Sequence, residues 1–315
     1  MSLARAESWI LRCAQDDEPG CKYTPIPMNT PRKFYQLCAL AALLLLAVAG
    51  AIAQDKNFYV FLCLGQSNME GFPGIPEEDK AWTDPRFSVL AAVDFPALKR
   101  EAGKWYTAVP PLCRPGCGLS PADYFGRTLV ARLPANVRIG VISVAVAGAK
   151  IEVYDPAAVA AYAASSPGWR KALIAAYGGN PYRRLVELGR QAQKEGVIKG
   201  ILLHQGEANT NDQTWPAQVK ALYERLLKDL DLKAADVPLL AGEVVGADQQ
   251  GKCASINEII ATLPQVIPTA HVVSSAGCVC RPDHLHFTPE GYRELGKRFA
   301  ETMLPLLGSA AVTNK

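Results

Sequence analysis

Two short segments far apart in the chain carry residue types that could do chemistry together. Phe61-Leu-Cys-Leu-Gly-Gln-Ser67-Asn-Met reads as an apolar strand that breaks into a turn exposing a serine. Asp283-His-Leu-His286-Phe offers a carboxylate and an imidazole three residues apart, ahead of the last helical pattern. A serine hydroxyl is a weak nucleophile until a neutral imidazole within hydrogen-bond reach takes its proton. A carboxylate must in turn fix the tautomer of that imidazole and stabilise its cation. The chain has 4 histidines, at positions 204, 271, 284 and 286, so the search for a base is short. His271 opens the apolar run His271-Val-Val-Ser and reads as a strand residue. His284 is expected to point away from the place where Asp283 and His286 converge. This leaves Ser67 as nucleophile, His286 as base and Asp283 as its orienting acid, the set a serine hydrolase needs.

For these groups to meet, the elements that carry them must end on one edge of the fold. Apolar, β-branched runs at 58–64, 138–144, 198–203, 237–242 and 270–274 predict strands, and their unbroken hydrophobicity predicts burial on both faces, as in a parallel sheet. Helical patterns fit 121–133, where Ser120-Pro121 supplies a cap and a first-turn proline, and also 182–195, 215–230, 255–263 and 289–307. This alternation demands right-handed crossovers and a three-layer α/β/α sandwich around a parallel sheet of about five strands. Ligands of such sheets sit at the carboxyl ends of the strands. Ser67 follows the first strand, Gly148 the second, His204 to Asn209 the third, and Asp283 and His286 the fifth. The stretch 72–120, rich in Pro, Gly and aromatic residues, is too long for an ordinary connection and is expected to shape a substrate cleft.

Residues 37–53 form an uncharged apolar run that follows Arg32 and Lys33 and ends in Ala51-Ile-Ala53. A basic start, an apolar centre and an A-x-A end make a secretory signal peptide, with cleavage expected before Gln54. Met28 stands just ahead of the basic pair, so 28–53 is read as the signal peptide and 1–27 as an extension upstream of the natural start. The competing reading is an uncleaved signal anchor, for which the run lies at the short edge of ~17–25 residues. Cleavage predicts a secreted or periplasmic protein without stable membrane insertion, consisting of one domain over 54–315. About 260 residues are enough for a full α/β core. The formal net charge of +3, with no Lys/Arg cluster, excludes a nucleic-acid footprint. Six cysteines follow residue 53, in a compartment where disulfides persist. Cys63 lies in the first apolar strand and reads as a small buried hydrophobe. Cys113 with Cys117 is a plausible pair, and Cys253 with Cys278 or Cys280 a second, the connectivity being open.

The ordered set Gly65-Gln-Ser67-Asn-Met-Glu-Gly71, Gly118-Leu-Ser-Pro-Ala-Asp123-Tyr-Phe-Gly126, Ala147-Gly148-Ala149, His204-Gln205-Gly206-Glu207-Ala-Asn209 and Asp283-His-Leu-His286-Phe resembles the SGNH (GDSL-like) hydrolase superfamily. Within it, the resemblance is to the sialate O-acetylesterase-like branch, which includes the acetylxylan esterases of carbohydrate esterase family six. It implies a flavodoxin-like α/β/α fold and an acyl-enzyme formed on Ser67, with an acetylated carbohydrate as substrate and no metal or organic cofactor. The oxyanion of the tetrahedral intermediate needs fixed donors. The Ser67 and Gly148 amides are natural candidates, and the resemblance adds the side-chain amide of Gln205 as a third. Gln66, Asn68, Glu207 and Asn209 are candidates for supporting the site. Two departures from the family pattern are Ala147, where a second glycine is usual, and Ala149, where Ser or Thr is usual.

Bland readings stand beside these. Ser67 could cap the helix that follows the strand, and Gly148 could be a turn residue only. Gln205 and Glu207 could stabilise their loop, the expected role for Glu207, while His204 could belong to the core or to the cleft wall. Asp283, His284 and His286 beside Cys278 and Cys280 invite a zinc site, but C-x-C and H-x-H lack a second familiar spacing. The readings of function are therefore an exported carbohydrate O-acetylesterase, acting on acetylxylan or a related polysaccharide, and a sialate O-acetylesterase. A metal-dependent hydrolase and an inactive carbohydrate-binding relative are the readings from other classes.

Overall fold

A computed structural model of the chain describes residues 54–308. The expected extension over 1–27 and signal peptide over 28–53 lie outside the described residues. Among the described residues, no helix is long and apolar enough to cross a membrane.

Seven strands form one sheet, in the order Trp105–Thr107 (β3), Phe87–Leu90 (β2), Arg138–Ala145 (β4), Phe58–Gly65 (β1), Val197–His204 (β5), Leu239–Gly242 (β6) and Ala270–Val273 (β7). Five are the expected ones: β1 (Phe58–Gly65), β4 (Arg138–Ala145), β5 (Val197–His204), β6 (Leu239–Gly242) and β7 (Ala270–Val273). Their pairings are all parallel. The central strand β1 shows why its sequence has no polar face. Val60, Leu62 and Leu64 enter one core cluster, with Leu185 and Leu188 of α6 (Pro181–Ala192) and Val219, Leu222 and Leu226 of α7 (Trp215–Asp229). Phe61 and Cys63 enter the other, with Phe125 and Leu129 of α3 (Pro121–Arg132) and Leu295, Phe299 and Met303 of α10 (Pro289–Met303). A strand covered on both sides must be apolar at every position, and the result is the three-layer α/β/α sandwich. Burial at the middle of the sheet pushes the Cys63 thiol pKa up, so it behaves as a small hydrophobe.

The sheet is larger than the expected five strands. The stretch 72–120 is no plain connection: it holds α2 (Glu77–Ala81), β2 (Phe87–Leu90) and β3 (Trp105–Thr107). β2 pairs parallel to β4, and β3 closes that edge antiparallel to β2. Elements of three and four residues are too short to reveal a period. The expected helix 255–263 is two pieces, α8 (Ile256–Ile260) and α9 (Leu263–Val266). Pro264 has no amide hydrogen to continue the first piece and sits instead in the opening turn of the second. The last helix stops at Met303 and Pro305 lies in a 3-10 turn, Leu304–Leu307. The helices α4 (Val159–Ser165) and α5 (Gly168–Ala176) occupy a stretch for which the sequence suggests no element.

A buried carboxylate ties the long insertion to one helix layer. Asp79 of α2 is fully buried, and its Oδ1 accepts from the Tyr124 hydroxyl at 2.8 Å and from Arg127 Nη1 at 3.3 Å. Its Oδ2 accepts from Arg293 Nη2 at 2.6 Å, so α2, α3 and α10 share one ionic node. Removing the carboxylate leaves the buried Arg127 guanidinium without its anion, while Arg293 keeps Glu78 at 2.6 Å; breaking such a buried pair costs about 3–5 kcal/mol. Asp79→Ala is expected to lose stability of that order in urea unfolding, and a wild-type unfolding midpoint would show the node to be dispensable.

Candidate active site

The carboxyl ends of β1 and β5 meet so closely that no side chain fits between them. Gly65 has φ +150, and a Cβ there would lie 2.0 Å from the His204 carbonyl oxygen. Glycine is required at that point. The Gln66 amide then donates to the same carbonyl at 3.1 Å, and the chain turns into α1 (Ser67–Glu70) with Ser67 as its first residue. Tyr154, which the sequence did not single out, fixes this corner from below. Its buried hydroxyl lies 2.6 Å from the Gly65 oxygen and 2.8 Å from the Val144 oxygen, and accepts from the Gly65 amide at 3.0 Å. Burial, the largest influence, raises the pKa of this phenol well above its ordinary value.

Asp283 and His286 come from the loop between β7 and α10. Asp283 Oδ1 accepts from the amides of Leu285 at 2.9 Å and His286 at 3.0 Å, which folds the loop over its own carboxylate. Oδ2 then meets His286 Nδ1 at 2.8 Å, and Nε2 of the same ring lies 3.0 Å from Ser67 Oγ. The structure thus brings the three expected residues into one hydrogen-bonded line. Burial raises the Asp283 pKa, but hydrogen bonds from the His286 ring and from the two amides, with the His286 charge, outweigh it and bring the carboxyl down to about 2. The Phe72 ring packs 4.7 Å from the imidazole, centroid to centroid, and carries the Arg281 guanidinium at 4.2 Å.

Of the candidate supports, Asn68 has the fullest set of partners. It is fully buried, and its Nδ2 donates to Glu207 Oε1 at 2.6 Å and to the Leu285 carbonyl at 3.0 Å. Its Oδ1 accepts from the Phe287 amide at 3.3 Å and from the Tyr292 hydroxyl at 2.8 Å. Glu207 therefore holds Asn68 rather than the amides of its own loop. Gln205 is buried at the end of β5. Its Nε2 lies 2.8 Å from Asn209 Oδ1, 3.3 Å from the Ala149 oxygen and 3.2 Å from Gln66 Oε1. Its Oε1 accepts from the indole Nε1 of Trp215. In the alternative orientation of the Gln66 amide, its nitrogen faces the Ala149 oxygen and Glu207 Oε2, each at 3.3 Å. Asn209 also accepts from the Ile151 amide at 2.9 Å, joining the loops after β4 and β5.

Gly148 has φ +60 and follows β4. Among the described residues, neither the Ser67 nor the Gly148 backbone amide is paired with a protein acceptor. The loop is held by Glu70, whose Oε1 accepts from the Ala147 amide at 2.8 Å and whose Oε2 meets Arg114 Nη2 at 2.6 Å. Sequence reasoning gave Glu70 no role, although it stands in the motif that carries Ser67. A buried acid beside a candidate nucleophile was the available signal.

The remaining histidines and the cysteines divide clearly. His204 is core: it is fully buried, donates from Nε2 to the Glu243 carbonyl at 3.0 Å, and stacks edge-on to Phe287. Burial lowers its pKa, and Glu207 opposes this only in part. His271 lies in β7. His284, at φ +55, turns away from the line, with Nδ1 3.1 Å from the Gln249 oxygen and 3.9 Å from Cys280 Sγ. His284 and His286 thus face different partners, and among the described residues no three His, Cys, Asp or Glu side chains group as a metal would require. The expected disulfides are not formed. All six described cysteines are free thiols. Cys113 Sγ lies 3.2 Å from the Tyr177 hydroxyl and Cys117 Sγ 3.9 Å from Glu70 Oε2, while Cys253 and Cys280 are aimed at separate carbonyls, of Glu207 and Gln249.

A family model described as carbohydrate esterase, sialic acid-specific acetylesterase, matches residues 57–305. The chain belongs to that family and is a carboxylic ester hydrolase of the carbohydrate acetylesterase class. Solved structures share the fold. A protein of Arabidopsis thaliana matches with TM-score 0.60 and 22% identity over 80% of this chain and 99% of that one. NanS matches with TM-score 0.57 and 19% identity over 81% and 98%. A carbohydrate acetylesterase from Xanthomonas citri matches with TM-score 0.54 and 20% identity over 76% of this chain and 54% of that one.

A carboxyl whose folded pKa lies below its unfolded value of about 3.9 stabilises the fold above that value, and the contribution is lost as pH falls through the folded one. For Asp283 that window runs from about 4 down to about 2. The stability difference between wild type and Asp283→Asn, read by urea unfolding, is expected to shrink across it. A difference that persists undiminished at the acid end would contradict the depressed carboxyl.

Proposed function

We propose that the chain is an exported serine esterase that removes O-acetyl groups from carbohydrate through an acyl-enzyme on Ser67. The observation that carries the reading is the line from Asp283 Oδ2 through His286 to Ser67 Oγ, with bonds of 2.8 and 3.0 Å. Ser67 Oγ attacks the ester carbonyl while His286 Nε2 takes its proton. As the acyl C–O bond breaks, His286 returns that proton to the departing sugar oxygen, which leaves as a hydroxyl. Water, activated by the same imidazole, cleaves the acyl-enzyme to acetate. Asp283, ionised and facing Nδ1, keeps Nε2 as the acceptor and offsets the imidazolium charge.

The carbonyl oxygen becomes an anion in the intermediate and is met by the Ser67 and Gly148 amides, which are unpaired among the described residues. The Gln205 side chain is the third donor. Trp215 supports this role: its indole can only donate, so the Gln205 atom it binds is the oxygen and the amide nitrogen faces the other way. To reach an oxyanion, that nitrogen exchanges one of its present acceptors for the substrate.

Acetylated xylan or a related polysaccharide is the proposed substrate. O-acetylated sialic acid is the second reading, favoured by the description of the matching family. Export rests on the apolar run at 37–53 and its Ala51-Ile-Ala53 end.

Residues 54–315 and Ser67→Ala are to be incubated with 4-nitrophenyl acetate and acetylated xylan, and released acetate measured. Wild-type release from both, lost by about four orders of magnitude in Ser67→Ala and in His286→Ala, is expected. A folded wild type that releases no acetate would support the carbohydrate-binding alternative, and chelator-sensitive turnover that survives in Ser67→Ala would support a metal-dependent hydrolase. Gln205→Ala is expected to lower kcat about 100-fold, the usual loss for one oxyanion donor. An unchanged kcat would take Gln205 out of the mechanism.

A further inference from the structure

Trp169, near the start of α5, is 53% exposed, the most exposed large hydrophobic side chain among the described residues. The ring is not adrift on the surface. Its Cη2 lies 3.1 Å from the point where a Cβ on Gly148 would stand, so its edge abuts the glycine whose amide faces the proposed oxyanion. Arg170 Nη2 reaches the same point at 3.2 Å, and its guanidinium lies 4.9 Å from the Trp169 ring and 5.9 Å from the Tyr162 ring. Most cations of this molecule with such burial are paired. Among the described residues, the Arg170 side chain enters no hydrogen bond or ion pair, and its Nε is buried without a partner. A guanidinium carries five donors, and leaving a buried one unmade is unfavourable. An exposed aromatic face and a guanidinium with unmade hydrogen bonds therefore stand side by side at the same rim of the site.

An acetyl group is only two carbons long, so the sugar it esterifies must lie directly against the walls around Ser67 and Gly148. A pyranose presents a face of C–H groups that suits an aromatic ring and a rim of oxygens that suits a planar fork of N–H donors. We propose that Trp169 and Arg170 form the subsite for the pyranose ring bearing the ester, Trp169 covering its C–H face and Arg170 donating to its rim oxygens. The subsite rests on the carbohydrate-esterase reading and assigns the residues that hold the sugar. The same chemistry serves a neutral xylose unit and a carboxylate-bearing sialic acid, which the variants below distinguish.

The test is the ratio of kcat/KM on an acetylated sugar to kcat/KM on 4-nitrophenyl acetate, which has no pyranose. It is measured for wild type, Trp169→Ala, Trp169→Phe and Arg170→Gln, with acetylated xylo-oligosaccharide and O-acetylsialic acid. Taking the ratio removes any general loss of folded enzyme. In Trp169→Ala it is expected to fall about tenfold or more on the sugar the enzyme uses, and to recover in Trp169→Phe, which restores an aromatic face. A ratio unchanged in Trp169→Ala overturns the subsite. Arg170→Gln reports which oxygen is bound: loss on O-acetylsialic acid alone marks the carboxylate, loss on both sugars marks hydroxyls, and loss on neither removes Arg170. Wild type active on the nitrophenyl ester but on neither sugar would overturn the carbohydrate reading itself, an outcome distinct from failure of the subsite.

Discussion

The distance between Ser67 and His286, 219 positions apart in sequence, is set by a side chain that takes no part in the line. Asn68 follows the serine and bonds the Leu285 carbonyl and the Phe287 amide, the peptide groups on either side of His286. Its four polar contacts use both donors and both acceptor sites of one amide. A side chain so used has one orientation only, because rotating it would strand several buried groups at about 1–3 kcal/mol each. The position of the imidazole relative to the hydroxyl is therefore inherited from backbone held by a buried amide. Flexible surface contacts could not hold a bond of 3.0 Å so firmly.

The same logic repeats one layer out. Glu70 holds the Ala147 amide and so fixes the backbone leading to Gly148, while Arg114 offsets the charge of a carboxylate that is almost wholly buried. Tyr154 pins the ends of β1 and β4 through a single hydroxyl. Asn209 ties the loop after β4 to that after β5. An unpaired polar group in such surroundings is costly, and a network in which each member has partners rigidifies instead. The carboxyl edge of the sheet is thus a buried polar layer set on an apolar core. Chemistry there needs fixed dipoles that do not reorganise during reaction.

Much of this was legible in the residues. Continuous apolar runs located the five central strands because burial on both faces leaves no room for polar alternation. Ser67, Asp283 and His286 stood out because few residue types can activate a hydroxyl and only four histidines were available. β2 and β3 were hidden in 72–120 because strands of three and four residues rely on their neighbours, not on their own pattern. Tyr154, Trp215 and Glu70 were hidden for a different reason. A tyrosine or tryptophan is ordinary core material until the geometry reveals what its polar atom faces. The thiols of Cys113 and Cys117 are both buried and free, aimed at Tyr177 and Glu70 and not bridged as their spacing suggested.

Trp215 illustrates how such a residue can bear on chemistry without approaching it. An amide side chain offers a carbonyl and an amino end of nearly equal size, and packing alone does not distinguish them. A buried indole can, because its Nε1–H has nothing to accept with. By donating to Gln205 it compels the oxygen to face α7 and the nitrogen to face Ala149 and the Gly148 loop. Asn209 Oδ1, 2.8 Å from that nitrogen, takes one of its two hydrogens and leaves the other for the weaker contacts at 3.2 and 3.3 Å. A developing oxyanion is a stronger acceptor than either neutral carbonyl, so in the proposed mechanism the weaker bonds are the ones that yield. The site therefore keeps the proposed donor oriented in the resting protein without committing it fully, a balance that an apolar neighbour in place of Trp215 could not maintain.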